Sequence, residues 1–501
     1  MAENEIAEND VLGPFGAPIP ESEESAQLRA DELNLFDATA VAVSSVAPAY
    51  SLAATVAAVF MLSGVGLQSP SIILLSFVPV LFIAIAYFHL NRKDPNCGAS
   101  YSWLSKLMSP YVGWFNGWVQ VATSVIFCMA APVLAGQYTL QLLNSFGWIN
   151  DSTAGSIWWA SVIAAIWLIL ITGICVYGIR WTTNFQWVLV IIEYVVVVGF
   201  SVGGIIKVIA THPAGSQGFS FSWLNPMTVL NHGGMTSVAE ALALGVFFFW
   251  GWDTAVNLNE ETKDRSKTPG RAGILSMWLL LFVFLLNFIA VQMLVSPKQI
   301  EAQDVNILFY FSTQLFWNWA GYAMIFAVIT STVATTQTTL LPSARIAYSM
   351  SRDKVFPKIF GSIHPKFRTP AVGTLILALF ALFGILLSTG VSSVGELLGK
   401  LVGDIGILVA FYYGMTGVTC AWAFRKVAFK SARFLVTGII LPLISGLVLL
   451  GIVGWIIKSD PVYAMPDIVI LGLGVVLAIV ARFTTNGDFF KTKPVAYTTI
   501  D

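Results

Sequence analysis

Ser44-Ser45-Val46-Ala47-Pro48-Ala49-Tyr50-Ser51 lies near the start of an interval, 38–91, that holds no Asp, Glu, Lys or Arg. A bilayer-spanning helix needs about 20 mostly apolar residues, so the interval has room for two. They are expected over 37–62 and 70–91. Pro48 falls inside the first. A proline within a helix removes an amide donor and crowds the preceding turn. In lipid, backbone groups freed in this way are tolerated only where they face a cavity or another helix. The octapeptide therefore reads as a membrane helix that comes apart at mid-span.

The same reading extends along the chain. No charged side chain lies between Lys106 and Asp151 or between Asp304 and Arg345. Of the 501 residues, 56% are hydrophobic and 11% charged, against about 25% charged in soluble domains. Several soluble cores would need a charged surface that this chain lacks, whereas lipid wets an apolar exterior. An all-α polytopic membrane protein of about twelve helices follows. Helices 1 to 5 are expected over 37–62, 70–91, 110–142, 155–178 and 184–207. Helices 6 to 10 are expected over 236–261, 272–296, 315–349, 371–390 and 395–424, and helices 11 and 12 over 434–457 and 463–482.

Lys and Arg beside the spans set orientation. With the N-terminus inside, 22 of the 26 fall on the cytoplasmic side; Lys207, Lys298 and Lys458 fall outside and Lys400 within helix 10. This split favours an even number of spans with both ends cytoplasmic. Residues 1–35 are acidic, contain several prolines and lack the basic-then-apolar order of a secretory signal, so a flexible cytoplasmic tail is expected. Cys97, Cys128, Cys175 and Cys420 offer no disulfide framework and read as packing thiols. A net charge of −1 points to no nucleic-acid partner; membrane lipid is the expected neighbour. Nothing in the sequence sets an oligomeric state. His89, His212, His232 and His364 have no metal spacing, and Gly395-Glu396-Leu397-Leu398-Gly399-Lys400-Leu401 lacks the phosphate-loop spacing. No catalytic residues, enzyme activity or cofactor are expected.

Helix 6 carries a second interruption, Phe247-Phe248-Phe249-Trp250-Gly251-Trp252-Asp253, in which a glycine and a carboxylate sit among aromatics at mid-span. Helices 1 and 6 each open a block of five spans, and interrupted helices at matching places in two halves point to a transport site. Three passages add a resemblance. The first runs from Phe247 to Asp253 and on to Glu260-Glu261 and Thr268-Pro269-Gly270-Arg271. The second is Pro342-Ser343-Ala344-Arg345-Ile346-Ala347-Tyr348-Ser349-Met350-Ser351-Arg352-Asp353, with Phe356-Pro357, Ile363-His364-Pro365 and Thr369-Pro370. The third is Pro95-Asn96-Cys97-Gly98-Ala99-Ser100-Tyr101-Ser102-Trp103, with Gly113-Trp114 and Gly117-Trp118. Together they resemble the amino acid–polyamine–organocation superfamily of permeases over roughly 36–424.

The resemblance implies a five-plus-five inverted repeat, with repeats at 36–208 and 236–424, helices 11 and 12 appended over 433–483, and a C-terminal cytoplasmic tail at 484–501. It implies a small-molecule amino acid or amine carried by secondary active transport, with proton symport the leading expectation. An amino acid/amine exchanger and a polyamine uptake permease are the alternatives, and a nutrient sensor or a channel the competing classes. Substrate is expected between the breaks, at Ser45, Val46, Ala47, Ala49, Tyr50 and Ser51 of helix 1 and Phe247, Phe248, Phe249, Trp250 and Gly251 of helix 6. There, helix 1 amides would hold a carboxylate and helix 6 carbonyls an amine. A half-helix N-terminus suits the former role, since it carries partial positive charge and free N–H groups. Many relatives have a glycine-rich Gly-Ser-Gly-Ile-Phe-like stretch where this chain has Val46-Ala47-Pro48-Ala49-Tyr50, and Pro48 has no N–H to give. A substrate without a carboxylate, such as a polyamine, would fit that departure; alternatively, the Ser45 and Ser51 hydroxyls would help to hold one.

Phe247 matches the aromatic that caps substrate in the family, and Trp252 is a second gate candidate. A charge in mid-membrane is costly and marks function by default. Glu193 in helix 5 stands near the place of a lysine in proton-coupled relatives, and Asp253 follows the helix 6 break, where an acid is tied to proton-dependent gating. Both are expected to couple protons; for Asp253, capping of the second half-helix is the structural alternative. Glu396, Lys400 and Asp404 are spaced to stack on one face of helix 10. Ser331, Thr332 and Thr335 on helix 8 have oxygens for a sodium ion, but H+ is expected over Na+, with no other metal.

Overall fold

The computed structural model describes residues 28, 30–177, 179–315, 318–484 and 488–499, and for 179–185 and 318 the backbone alone. Among them, helices occupy all twelve expected ranges. Ten are long and apolar enough to cross a membrane. The other two are helix 6, which is broken, and helix 10, which carries Glu396, Lys400 and Asp404. No strand is present among the described residues beyond one isolated bridge, Leu33 to Thr262.

Helix 1 begins at Leu35 rather than 37. The Asn34 side chain accepts from the Phe36 and Asp37 amides, and Asp37 accepts from the Asn34 amide. This reciprocal cap satisfies donors a helix start leaves open. Leu35–Val46 ends at Ala47, whose left-handed backbone (φ 50°) separates it from Pro48–Met61. Proline at the first helical position is favoured because its missing N–H would have no helical partner there. Pro48 thus starts the second half-helix.

Helix 6 follows a kink at Gly234 (φ 71°) that parts it from the stretch beginning at Pro226, runs to Phe248, opens into turns over 249–253, and resumes as the single turn Thr254–Asn257. Burial separates centre from rim. In helices 1 and 8, 94% of the apolar stretch is buried, against 22% in helix 12. Helices 4, 9 and 12 turn Ile166, Ile169, Leu379, Phe380, Phe383, Val475 and Ile479 outward, as an apolar medium requires. Helix 8, Asn318–Arg352, packs along helix 3, Pro110–Ser145, and against both halves of helix 1.

Short helices fill connections the spacing of apolar runs left blank: Ser100–Leu107, Asp151–Ala154, Pro297–Gln303 and Ile307–Leu315. Each is too short to span a bilayer, and Pro297–Gln303 has its own signal in the Ser296/Gln299 capping box. All four cysteines are buried and free of disulfides. The tail expected over 1–35 lies outside the described residues up to 27 and at 29. Its last part packs: Leu33 is buried, and the Glu32 and Leu33 amides donate to the Glu261 carbonyl at 2.9 and 3.0 Å. Residues 488–499 also lie on the bundle, with Phe490 buried beside Tyr111, and Val495 and Tyr497 amides bonded to Lys106 and Ala423 carbonyls. The stack expected on helix 10 forms only in part. Lys400 pairs with Glu396 at 2.7 Å on an exposed face, while Asp404 is buried one turn further along and pairs with neither.

Candidate functional site

The two interruptions meet. Gly251 takes φ 116°, and a Cβ there would lie 2.9 Å from the Ser45 carbonyl carbon, carbonyl oxygen and hydroxyl. Only glycine permits both that backbone and that approach. The Ser45 and Thr254 hydroxyls share a hydrogen bond of 2.9 Å across the contact, and Thr335 of helix 8 donates to the Ser45 carbonyl at 2.5 Å. A small polar cavity of about 20 Å³ sits here, walled by Ser45, Gln120, Trp250, Asp253, Asn257 and Tyr412 among others. That is room for about one water, so the site is closed around its own side chains.

Asp253 is buried on this wall. Its carboxylate accepts from the Tyr412 hydroxyl at 3.2 Å and the Tyr413 hydroxyl at 3.1 Å, and Trp250 Nε1 donates to the Tyr412 hydroxyl at 2.5 Å. Glu193, fully buried on helix 5, stands at the other side of the helix 1 break. Its Oε1 accepts from the Ala49 amide at 2.6 Å and the Ser331 hydroxyl at 2.8 Å, and the Tyr50 amide donates to Ser331 Oγ at 3.0 Å. Glu193 Oε2 has no partner among the described residues.

Two closures flank the breaks. One is aromatic: the Phe247 ring lies 6.4 Å from Tyr50, 6.3 Å from Phe127 and 6.5 Å from Trp250. The other is ionic. Arg345 binds Glu261 through Nε at 2.5 Å and Nη2 at 2.9 Å, with both side chains 1% exposed. Arg352 meets Glu260 at 3.2 Å, and the Cys97 amide donates to the same carboxylate at 2.9 Å. The Tyr101 hydroxyl donates to Asp353 at 2.7 Å, and Asn257 and Asn259 bond the Cys97 and Asn96 carbonyls. The three passages that carry the family resemblance are thus three walls of one closure.

Of the expected site residues, the structure brings Ser45, Trp250, Gly251 and Asp253 to the cavity, Ala49, Tyr50 and Glu193 to the helix 1 break, and Phe247 to the aromatic closure. Val46 and Ser51 are buried beside the break, where Ser51 donates to the Val46 carbonyl at 2.7 Å. Phe248 packs on Phe284 and Phe288, and Phe249 on Phe77 and Phe284. Trp252 packs on Tyr87 and Tyr413. These three face helices 2, 7 and 10 rather than the cavity, because a turn of helix sends neighbouring side chains to different sides. Of the sodium candidates, Ser331 is held by Glu193 and Tyr50, Thr332 donates to the Val328 carbonyl and Thr335 to Ser45. No metal-binding cluster of His, Cys, Asp or Glu occurs among the described residues. Gln120, Asn257 and Tyr412 on the cavity are not marked by the sequence, and Arg345 and Glu261 on the closure stand in the passages that carry the resemblance without a role attached. Their signal was a polar side chain in an otherwise apolar span, which many packing residues share.

Residues 33–500 match the amino acid permease family. The low-affinity putrescine importer PlaP of Escherichia coli (strain K12) is 27% identical, over 68% of this chain and 73% of its own length. The branched-chain amino acid permease BcaP of Lactococcus lactis subsp. cremoris is 25% identical, over 67% of this chain and 70% of its own. The large neutral amino acids transporter small subunit 2 of Mus musculus is 24% identical, over 66% of this chain and 59% of its own.

Proposed function

We propose that this chain, which belongs to the amino acid permease family, moves an amino acid or organic amine across the plasma membrane by alternating access in symport with protons. It is an integral protein of that membrane, with ten helices able to span it. The observation that carries the reading is the junction of two broken helices at Gly251 and Ser45, over a buried polar cavity with a closure on either side. Discontinuous helices at a central site are how membrane carriers expose polar backbone without exposing it to lipid. The relatives' printed roles, import of putrescine and transport of amino acids, agree with a small aminated cargo.

In this reading helices 6 and 10 also span, giving twelve with both ends cytoplasmic. Residues 36–208 and 236–424 form the two repeats, helices 11 and 12 lie outside them, and 1–35 and 484–501 are cytoplasmic. The aromatic closure then faces outward and the ionic closure inward. Glu193 carries the coupling proton: its Oε1 is engaged and its Oε2 is vacant of partners. Asp253 answers to proton or substrate charge at the cavity.

Glu193→Gln keeps a carbonyl acceptor for Ala49 and Ser331 but cannot load a proton. In proteoliposomes it is expected to cut uptake driven by a pH gradient by about tenfold or more, with exchange of preloaded substrate largely kept. Proton-driven uptake at the wild-type rate would remove Glu193 from the coupling role. Uptake driven by a sodium gradient alone would replace the proton as the coupling ion. Phe247→Ala removes three ring pairs worth about 0.5–1.5 kcal/mol each, so the apparent KM is expected to rise about tenfold. Unchanged saturation would take Phe247 out of the gate.

A further inference from the structure

We propose that the substrate of this site is an organic amine cation without a carboxylate, held by Asp253, because Glu193 occupies the one helix terminus where a substrate carboxylate could dock. The inference rests on the permease reading above and narrows its substrate class.

A carboxylate taken out of water needs a cation or several N–H donors. No Lys, Arg or His lines the cavity. The remaining means is the start of a half-helix, where unpaired amides and the dipole welcome an anion. In helix 1 that start is spent. Pro48 has no N–H, the Ala49 amide donates to Glu193 Oε1, the Tyr50 amide to Ser331 Oγ, and the Ser51 amide to the Ala47 carbonyl. Glu193 is held there by Ser331 as well, and comes from a different helix, so the seat holds an internal acceptor fixed by the fold. At the helix 6 break the amides of Gly251 and Asp253 turn to the Asp253 carboxylate, and those of Thr254, Ala255, Val256 and Asn257 bond to the carbonyls of Gly251, Trp252 and Asp253. Several side-chain donors on the wall already have protein acceptors: Asn257 Nδ2 bonds to the Cys97 carbonyl, Gln120 Nε2 to the Asn116 carbonyl, the Ser124 hydroxyl to the Gln120 carbonyl, and the Tyr412 hydroxyl to Asp253.

The cavity faces a ligand with acceptors instead. Asp253 is buried without an ion-pair partner among the described residues, and its only side-chain donors are two neutral hydroxyls. A buried carboxylate left in that state is unfavourable unless it takes a proton or a cation. An ammonium group supplies the missing charge, and the Tyr412 and Trp250 rings on the cavity wall favour a cation. Amine and amino acid differ here in a single group, and for that group the cavity holds no cation and helix 1 no open amide.

The test uses matched pairs differing only by the carboxylate, putrescine with ornithine and cadaverine with lysine, in proteoliposomes of the full chain. The amine of each pair is expected to be taken up at least about tenfold more efficiently. Glu193→Ala, which vacates the Ala49 amide, is expected to narrow that preference by about tenfold, with Glu193→Gln keeping it. An amino acid moved as well as or better than its amine overturns the inference and leaves the permease intact. A preference unmoved by Glu193→Ala also overturns it, since the seat then plays no part in selection. Amino acids and amines both failing to move, or to shift the melting temperature of the purified protein, overturns the permease reading itself.

Discussion

Glu261→Gln in an otherwise unchanged chain is expected to lower the stability of the purified protein by about 3–5 kcal/mol, the typical cost of removing one partner of a buried ion pair. Arg345 and Glu261 are each 1% exposed and joined by two hydrogen bonds, with the third guanidinium contact going to the Leu341 carbonyl. Guanidinium does not lose its proton in proteins, so Gln at 261 leaves a full charge buried with neutral partners only. Arg345→Met is expected to be milder, because the Glu261 left behind can take up a proton. The pair replaced together, Glu261→Leu with Arg345→Met, should recover most of the lost stability, since an apolar pair avoids desolvating two ions. It should not recover the closure, and substrate-loaded liposomes should leak faster than wild type. The Glu260–Arg352 pair nearby is more exposed, at 19% and 39%, so salt should weaken it and leave the Arg345 pair untouched. Thermal melting monitored by size exclusion reads all three variants. A Glu261→Gln melting curve superimposed on wild type would mean that the pair is not a structural latch.

Gly251→Ala is expected to reduce transport about tenfold or more while the protein still inserts. A side chain at φ 116° costs about 1–3 kcal/mol in backbone strain alone, and 1.4 kcal/mol is a factor of ten. The added Cβ also lies 2.9 Å from three atoms of Ser45, two of them backbone. Ser45→Gly removes only the hydroxyl contact, so the double variant should stay impaired. Gly245 is a useful contrast. A Cβ there meets the Ser76 side chain, at 1.8 Å from its hydroxyl oxygen. Ser76→Gly should therefore rescue Gly245→Ala where Ser45→Gly cannot rescue Gly251→Ala. Wild-type uptake by Gly251→Ala would show that the two breaks do not need to touch.

Much of this architecture was legible because the bilayer imposes a length and a polarity. The charge-free intervals at 38–91, 107–150 and 305–344 located helices, and Pro48 and Gly251 located their interruptions, since each residue changes what the backbone is able to do. The Asn34 cap has its signature in Asn34 and Asp37, but the apolar run that marks the span begins only after Asp37. Short helices such as Ser100–Leu107 had no comparable mark. Neither did the orientation of Phe248, Phe249 and Trp252, which are as aromatic as Phe247 but face other helices.

The sequence by itself determined an apolar bundle with two weak points, a membrane location and family membership, because composition and local backbone chemistry decide those. Tertiary structure alone decided what each polar group meets. Glu193 and Ala49 are 144 residues apart in the chain and 2.6 Å apart in space; Glu261 and Arg345 are separated by 84 and joined at 2.5 Å. No spacing rule links such residues, since the packing of whole helices fixes which of them share an unhydrated interior. In that interior a buried donor or acceptor left without a partner is costly, and the partner already present decides what a ligand has left to bind.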